Sequence, residues 1–277
     1  MKDYVVFFSG GIASWATAKR VAEKHGTKNL KLLFTDTKME DEDLYRFLDE
    51  GAENVGGELI KIADGRTPWE IFRDVRLLGN SRLDPCSRIL KREMATKWVK
   101  ENYPDPTEVV LFIGMDCLED HRWKRSRQFW LPYEVLAPLM EKPYLMKDDM
   151  FEWLNKEGIE TPRLYKQGYA HNNCGGFCIK SGAKQFRLLL RTNPERYAYH
   201  EQKEEEMRQF LGKDVSILRY QEDNERKNIT LKQLRERTDK QCEMFTDDGG
   251  CGCFSTFDDD EMGGQDSEQE TKNERKK

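Results

Sequence analysis

Two glycines and two serines stand where an apolar run ends, close to the start of the chain. The stretch YVVFFSGGIAS (residues 4–14) places Ser9, Gly10 and Gly11 directly after the run, and a second hydroxyl follows at Ser14. Glycine lets the backbone turn sharply with its N–H groups aimed at a ligand, because no Cβ stands in the way. Serine hydroxyls add further donors. These residue types in this order suit an anion such as pyrophosphate.

The residues after this turn predict a helix whose first turn would face the same anion. The positive end of a helix dipole stabilises negative charge, which strengthens the anion-binding interpretation. No Lys-Ser or Lys-Thr follows the glycines, so the Walker phosphate loop is excluded. A plain strand–turn–helix with a serine N-cap remains an alternative for these residues.

Four of the seven cysteines form two close pairs flanked by glycines. HNNCGGFC contains Cys174 and Cys178, and GGCGCF contains Cys251 and Cys253. Four thiolates in two pairs suit a tetrahedral Zn²⁺ or an iron–sulfur cluster, and the spacing does not decide between them. His171, three residues before Cys174, could replace one ligand. Free thiols packed in loops are the alternative.

Cys86 is a separate candidate. It follows Pro85 near the start of a predicted helix, where the positive helix end stabilises a thiolate. A reactive thiol and an apolar helix residue both fit this position.

The elements that must position these residues alternate between strand and helix. Apolar runs predict buried strands, and apolar residues three or four apart predict helices. Strands are predicted over residues 4–8, 30–35, 57–63 and 108–115, and helices over 12–25, 41–54, 68–78 and 87–103. This alternation predicts a Rossmann-like α/β fold, a parallel sheet with helices on both faces.

After about residue 130 the pattern changes to mainly helical, and LPYEVLAPL (residues 131–139) is ambiguous. Helices are predicted over residues 147–158, 182–212 with a break at Asn193-Pro194, and 230–238. We therefore divide the chain into a nucleotide-binding α/β domain over residues 1–135, a smaller helical, metal-bearing region over 136–256, and a polar, acidic tail over 257–277 that is predicted to be disordered.

Composition limits the class of protein. Of the 277 residues, 37% are hydrophobic and 35% charged, which predicts a very polar surface around a real core. No run of eighteen apolar residues and no signal peptide occurs, so we expect a soluble, cytoplasmic protein without a membrane partner. A net charge of −5 argues against broad nucleic-acid binding but leaves room for a local basic patch at Arg122, Lys124 and Arg125.

Taken together, these motifs resemble a known family. SGGxxS at residues 9–14 resembles the PP-loop ATP pyrophosphatases, which are adenine nucleotide α-hydrolase-like proteins with a Rossmann-like (HUP-type) fold. The segments similar to the phosphoadenosine phosphosulfate (PAPS) reductase branch, in its phage and bacterial form, are DPCSRILK (84–91), FIGMDCLEDHRWKR (112–125) and GIETPRLYKQGYAHNNCGGFCIKSG (158–182). The resemblance covers roughly residues 4–255, and SGGxxS and HNNCGGFC are its most specific parts.

This resemblance implies that ATP, with Mg²⁺, binds at the carboxyl ends of the strands and is cleaved between its α- and β-phosphates. The AMP moiety would pass to an oxygen of an unidentified second substrate, for sulfur transfer or nucleobase modification. Proteins of this superfamily often pair, so a homodimer is a candidate assembly. The implied nucleotide-binding residues are Ser9, Gly10, Gly11, Ser14, Asp36 and Thr37, the last two near the adenosine.

Lys91 and Arg122 are the candidate cations for the charge that develops on the phosphates. His121 is a candidate general acid or base. The alternatives are solvated helix-face charges for the two cations and a loop-orienting histidine.

Two further functions stay open. A true PAPS reductase carries a catalytic cysteine in a C-terminal Glu-Cys-Gly-(Ile/Leu)-His segment, and this sequence contains no such segment. A non-catalytic nucleotide-binding module would keep SGGxxS but would need no pocket for a second substrate.

Overall fold

A computed structural model describes residues 2–222 and 225–237, with no side-chain description for 221–226. The main element is a five-stranded sheet in the order β3-β2-β1-β4-β5, in which every neighbouring pair is parallel. Its strands are β1 (Asp3–Phe7), β2 (Leu30–Asp36), β3 (Glu58–Ala63), β4 (Val109–Phe112) and β5 (Glu134–Leu136). The predicted α/β class is confirmed.

Successive residues of β1 serve opposite faces of the sheet, as the two-residue period of a strand requires. Val6 and Phe8 pack into one core together with α1 (Ile12–His25), α2 (Glu42–Val55) and α7 (Lys147–Lys156). The opposite face holds a second core, which includes Val5 and Phe7 of β1, residues of α5 (Met94–Asn102) and the aromatic residues next to α6 (Asp120–Phe129). Helices therefore cover both faces, as predicted.

A third core lies among the C-terminal elements. It joins α3 (Pro68–Asp74) to α9 (Ala183–Thr192), α10 (Pro194–Leu211), the hairpin β6–β7 (Leu218–Glu222 and Glu225–Ile229) and α11 (Leu231–Glu236). The predicted break at Asn193-Pro194 is confirmed, because Asn193 caps α10 by accepting from the Arg196 amide. The remaining helices are α4 (Pro85–Ser87), which continues as a π-helical turn (Arg88–Glu93) into α5, and α8 (Arg163–Lys166).

Three local predictions differ from the structure. The helix predicted over residues 68–78 ends at Asp74, because Arg76 takes a left-handed φ of 52° that a helix cannot continue through. The ambiguous segment 131–139 contains β5, which has only three residues and is too short for a strand period to show. Neither α6 nor the β6–β7 hairpin is predicted from the sequence pattern.

Glu204, in α10, forms hydrogen bonds with two segments that follow this helix in the chain. Its side chain is buried, and its carboxylate accepts from the amides of Ile217 at 2.9 Å and Leu231 at 2.6 Å. Burial raises the pKa of this carboxyl to about 7, although the two amide donors and Arg208 act in the opposite direction.

The raised pKa of Glu204 predicts a pH-dependent stability. A folded state that holds the proton more tightly than the unfolded state is most stabilised below pH 4.5, the ordinary pKa of Glu, and loses that stability as pH rises to about 7. The loss amounts to about 3 kcal/mol. In denaturant unfolding from pH 4.5 to 8, we expect Glu204→Gln to remove this slope and the exposed Glu205→Gln to keep it. An identical slope in both variants would contradict the assignment.

Candidate functional site

A cleft of about 220 Å³ opens at the carboxyl ends of β1 and β4. These strands are neighbours at the centre of the sheet, and the chain leaves them toward opposite edges, through β2 on one side and β5 on the other. Such a reversal of strand order creates the crevice in which open parallel sheets bind ligands. The fold thus places residues of the Ser9–Ser14 turn and the segment Ile113–Asp116 side by side along one cleft.

The turn after β1 depends on glycine at position 10. Gly10 has a left-handed φ of 78°, and a Cβ there would lie 2.8 Å from Leu44 Cγ. Gly11 is the N-cap of α1 and has no side chain with which to cap the helix. A serine N-cap, the structural alternative considered for this motif, is therefore absent from the described turn.

The two serines form a short hydrogen-bonded chain. Ser9 Oγ donates to Ser14 Oγ at 3.3 Å, and Ser14 Oγ donates to the Gly11 carbonyl at 2.8 Å. Both side chains line the cleft. The hydroxyls therefore hold the turn in shape and lie beside the space that a ligand would fill.

The C-terminal region contacts this turn directly. Tyr165 Oη accepts from the Ile12 amide at 3.2 Å, and Asn172 Nδ2 donates to the Gly10 carbonyl at 2.8 Å. Both residues line the cleft, as does His171. The sequence analysis did not assign Tyr165 or Asn172 to the site, because nothing local relates them to a turn more than 150 residues earlier.

Three cationic side chains converge on the cleft. Lys91 and Arg122 both line it, together with Lys147, which the sequence analysis missed. Lys91 lies in the π-helical turn with its Nζ 3.5 Å from Glu40 Oε1, and both side chains are buried. Arg122 pairs with Glu119. Burial lowers the pKa of Lys147, whose ammonium lies 4.7 Å from the centre of the Tyr165 ring.

His171 is a neutral imidazole within this group of cations. Burial, followed by the charges of Lys147 and Arg122, lowers its pKa to about 4. A neutral ring can accept or donate a hydrogen bond at neutral pH without adding charge.

His121 lies elsewhere. It is exposed on α6 and is not among the residues that line the cleft, whereas its neighbour Arg122 is. Successive helix residues point about 100° apart, so the Arg122 side chain faces the cleft while that of His121 faces solvent. The acid–base role predicted for His121 therefore receives no support from its position.

Asp36 and Thr37 also lie outside the lining of this cleft. Asp36 Oδ1 accepts from the Lys38 amide at 2.8 Å and from Tyr45 Oη at 2.8 Å. Burial opposes ionisation of Asp36, but these donors together with the Lys38 ammonium outweigh it and lower the pKa of the carboxyl. Thr37 Oγ1 donates to Glu40. Both side chains stabilise the loop after β2, and their predicted contact with adenosine stays a prediction.

A small cavity adjoins the cleft and carries the thiols. Lys91 and Asn173 line both spaces, and Cys86, Cys174 and Cys178 line the smaller one. The thiol of Cys174 is hydrogen-bonded to that of Cys178, and this contact, burial and the charge of Glu40 raise the pKa of Cys174. Its amide donates to Glu40, the partner of Lys91.

Only two of the four cysteines of the predicted metal site, Cys174 and Cys178, lie within the described residues. Cys251 and Cys253 lie outside the described residues. Within residues 2–222 and 225–237, no group of three or more His, Cys, Asp or Glu side chains is arranged to hold a metal ion. The metal-bearing character of the C-terminal region therefore stays a prediction.

Comparison with known proteins agrees with this architecture. Residues 3–177 match the family described as the phosphoadenosine phosphosulfate reductase domain. The chain belongs to the PAPS reductase family. This family is a branch of the PP-loop, adenine nucleotide α-hydrolase-like superfamily, so the resemblance stated from SGGxxS and HNNCGGFC is confirmed.

Individual relatives of this PAPS reductase family member are distant. An uncharacterized protein of Methanocaldococcus jannaschii is 24% identical over 175 residues, which are 62% of this chain and 35% of that protein. The chain thus matches about a third of that relative's length. The crystal structure of PAPS reductase from Candida auris, in a phosphate complex, shares 15% identity with a TM-score of 0.41 and covers 61% of this chain and 77% of that one.

No helix in the described part of this family member is long and apolar enough to cross a membrane.

Proposed function

We propose that this protein binds ATP in the cleft, cleaves it between the α- and β-phosphates, and transfers the AMP moiety to an oxygen of a second substrate. The observation that carries this proposal is the convergence of the first turn of α1, the hydroxyls of Ser9 and Ser14 and three cations on one cleft. SGGxxS is the ATP-pyrophosphatase form of the loop, which favours ATP over a sulfonucleotide.

The residues have distinct roles in this reaction. In-line attack at the α-phosphorus places negative charge on the phosphate oxygens, which pre-oriented donors and cations stabilise. The Gly11 turn and the first turn of α1 would hold the phosphates, and Lys91, Arg122 and Lys147 would neutralise the developing charge. His171 would donate or accept a hydrogen bond at the attacking oxygen.

Two carboxylates fit the magnesium that this reaction uses. Asp116 and Glu119 both line the cleft, and Mg²⁺ typically binds one or two carboxylates together with substrate phosphates. When bound, the ion would supply charge neutralisation on the phosphates.

The direct test is release of pyrophosphate from ATP with Mg²⁺ and a panel of candidate second substrates. Ser14→Ala removes the hydroxyl that holds the Gly11 carbonyl, so we expect ATP affinity and turnover to fall at least about tenfold. Thr17→Ala is the matched control, since Thr17 is buried one turn further along α1 and does not line the cleft. Unchanged affinity and turnover in Ser14→Ala, or binding without cleavage by the wild type, would contradict the proposal.

Sulfonucleotide reduction is a second candidate, favoured by the family match and by the thiols of Cys174 and Cys178 next to the cleft. The test is sulfite release from PAPS with a thiol donor.

We also propose that Cys174, Cys178, Cys251 and Cys253 bind Zn²⁺ or an iron–sulfur cluster. The contact between the first two thiols and the glycines between them suit two adjacent ligands of a tetrahedral site. In metal analysis of the full chain, we expect stoichiometric metal in the wild type and its loss in Cys174→Ser. An absorbance band near 400 nm would identify a cluster, and a colourless zinc protein would exclude one.

A further inference from the structure

Helix α6 extends from the cleft to the surface. Arg122 in its first turn lines the cleft, and Glu119 immediately before the helix does so as well. Ser126 and Trp130 are buried against the sheet. The helix therefore has one edge at the mouth of the cleft and the opposite face toward solvent.

The solvent face of α6 carries mostly hydrogen-bond donors. Four of them are His121, Lys124, Arg125 and Gln128, all exposed and spaced three or four apart so that they share one face. One acidic residue, Asp120, is also exposed there and pairs with Lys124 at 2.6 Å, and that lysine remains largely exposed.

This concentration of positive charge contrasts with the rest of the chain. The helix sequence DHRWKRSRQF contains four Arg or Lys residues and one Asp, in a chain whose net charge is −5. Arg127, also exposed, lies 5.5 Å from the centre of the Trp123 ring. Local clustering of cations with an interleaved aromatic ring is the electrostatic pattern of a surface that binds a nucleic-acid backbone.

Apolar side chains are exposed at both ends of the same helix. Leu118 and Leu131 are each 72% exposed, and Phe129 is 36% exposed. Large apolar and aromatic groups beside a cationic face give unpaired bases a surface to stack on, whereas a smooth duplex offers only phosphates.

We propose that α6 binds the phosphate backbone of a single-stranded nucleic-acid segment and so directs an unpaired base of that strand into the cleft as the second substrate. This inference rests on the proposed function for the reaction itself. The base must be unpaired, because a stacked and paired base cannot reach a reactive centre below the protein surface. Phosphate contacts along α6 would position the strand, and the cleft would read the base.

The test is fluorescence anisotropy of the full chain with a fluorescein-labelled single-stranded 20-nucleotide RNA and with the DNA strand of the same sequence. Lys124→Glu/Arg125→Glu reverses two charges that lie outside the cleft. We expect affinity to fall at least about tenfold and the slope of log affinity against log salt to decrease in magnitude by about 1.4, since each lost phosphate contact on a single strand contributes about 0.7.

Lys28→Glu/Lys156→Glu is the matched control. It makes the same change in net charge at two exposed positions outside α6, in the loop after α1 and at the end of α7, and these two helices pack on the opposite face of the sheet. We expect it to keep nearly all of the affinity. Tighter binding of one of the two strands would identify RNA or DNA as the nucleic acid that α6 binds, since only RNA offers a 2′-hydroxyl.

Three results would overturn the proposal: no salt-dependent binding by the wild type, equal loss in both double variants, or unchanged binding in Lys124→Glu/Arg125→Glu. Pyrophosphate release separates this inference from the proposed function. Oligonucleotide binding through α6 without ATP cleavage would overturn only the reaction. ATP cleavage with a small molecule, together with oligonucleotide binding that is equal in the wild type and in Lys124→Glu/Arg125→Glu, would overturn only the docking surface.

Discussion

Lys91→Met is expected to reduce ATP turnover by about 10²–10³-fold, the usual cost of removing one pre-oriented group that stabilises transition-state charge. Lys91 is one of three cations that line the cleft and is held there by Glu40, 3.5 Å away. Because Lys91 lies inside the π-helical turn, the helical backbone holds its Cα and Cβ in place. Single-turnover measurement of pyrophosphate release would give the effect on the chemical step.

The same substitution has a structural consequence that must be separated from catalysis. Without Lys91, the buried carboxylate of Glu40 loses its cation and keeps only the Thr37 hydroxyl and the Cys174 amide as donors among the contacts described here. Breaking a buried ion pair from one side costs about 3–5 kcal/mol. We therefore expect Lys91→Met to be clearly destabilised in denaturant unfolding.

The double variant Lys91→Met/Glu40→Gln distinguishes the two effects. Neutralising both partners removes the buried charge, so most of the stability should return while turnover stays low. Lys97→Met, which changes an exposed lysine on α5, should leave both quantities unchanged. Turnover that recovers together with stability in the double variant would show that Lys91 acts through folding alone.

Gly114→Ala is expected to reduce turnover about a hundredfold, because displacements of about 1 Å in a reacting geometry have effects of that size. A Cβ at this position would lie 2.9 Å from the carbonyl carbon of Ala13 and 2.9 Å from the amide nitrogen of Ser14. These are backbone atoms that no rotamer change can move. The first turn of α1 would have to shift away from residue 114, and the Ser9–Ser14 turn with it.

Overpacking of this kind also destabilises a protein by about 1–3 kcal/mol, so nucleotide affinity must be measured in folded protein. Gly158→Ala is the comparison: a Cβ there meets nothing within 4 Å, although Gly158 has a φ of 77°. It should cost about 1–2 kcal/mol of backbone strain and leave ATP affinity unchanged. If Gly114→Ala kept wild-type affinity and turnover, the close contact between Gly114 and the first turn of α1 would have no role in the site.

Much of the α/β domain could be predicted because its signals are local. An apolar run of five to seven residues bounded by turn residues predicts a buried strand wherever it occurs, and β1, β2 and β3 each begin or end within about one residue of the prediction. The break before Pro194 was equally local. Helix α6 gave no such signal, since its ten residues carry mostly charge and only Ser126 is buried.

The residues of the cleft divide in the same way, into those with a local sequence signal and those without one. SGGxxS predicted the glycine turn after β1, since glycine conformation and helix direction act within a few residues. Lys91 and Arg122 were found only because family resemblance pointed to their segments. Tyr165 and Asn172 lie in the segment 158–182 that resembles the family, but nothing in that segment singled them out, and Lys147 lies outside the quoted segments. An isolated lysine, tyrosine or asparagine looks the same in a sequence whether it faces solvent or a ligand.

The sequence by itself determined the alternation of strands and helices, the glycine turn after β1 and the family, because each depends on the order of neighbouring residues. Only the tertiary structure decided which side chains share the cleft. The strand order brings β1 beside β4, and helix α8 and the loop after it carry Tyr165 and Asn172 to Ile12 and Gly10. Contacts between residues so far apart in the chain arise from the packing of whole helices and strands. The local pattern of the sequence contains no information about that packing.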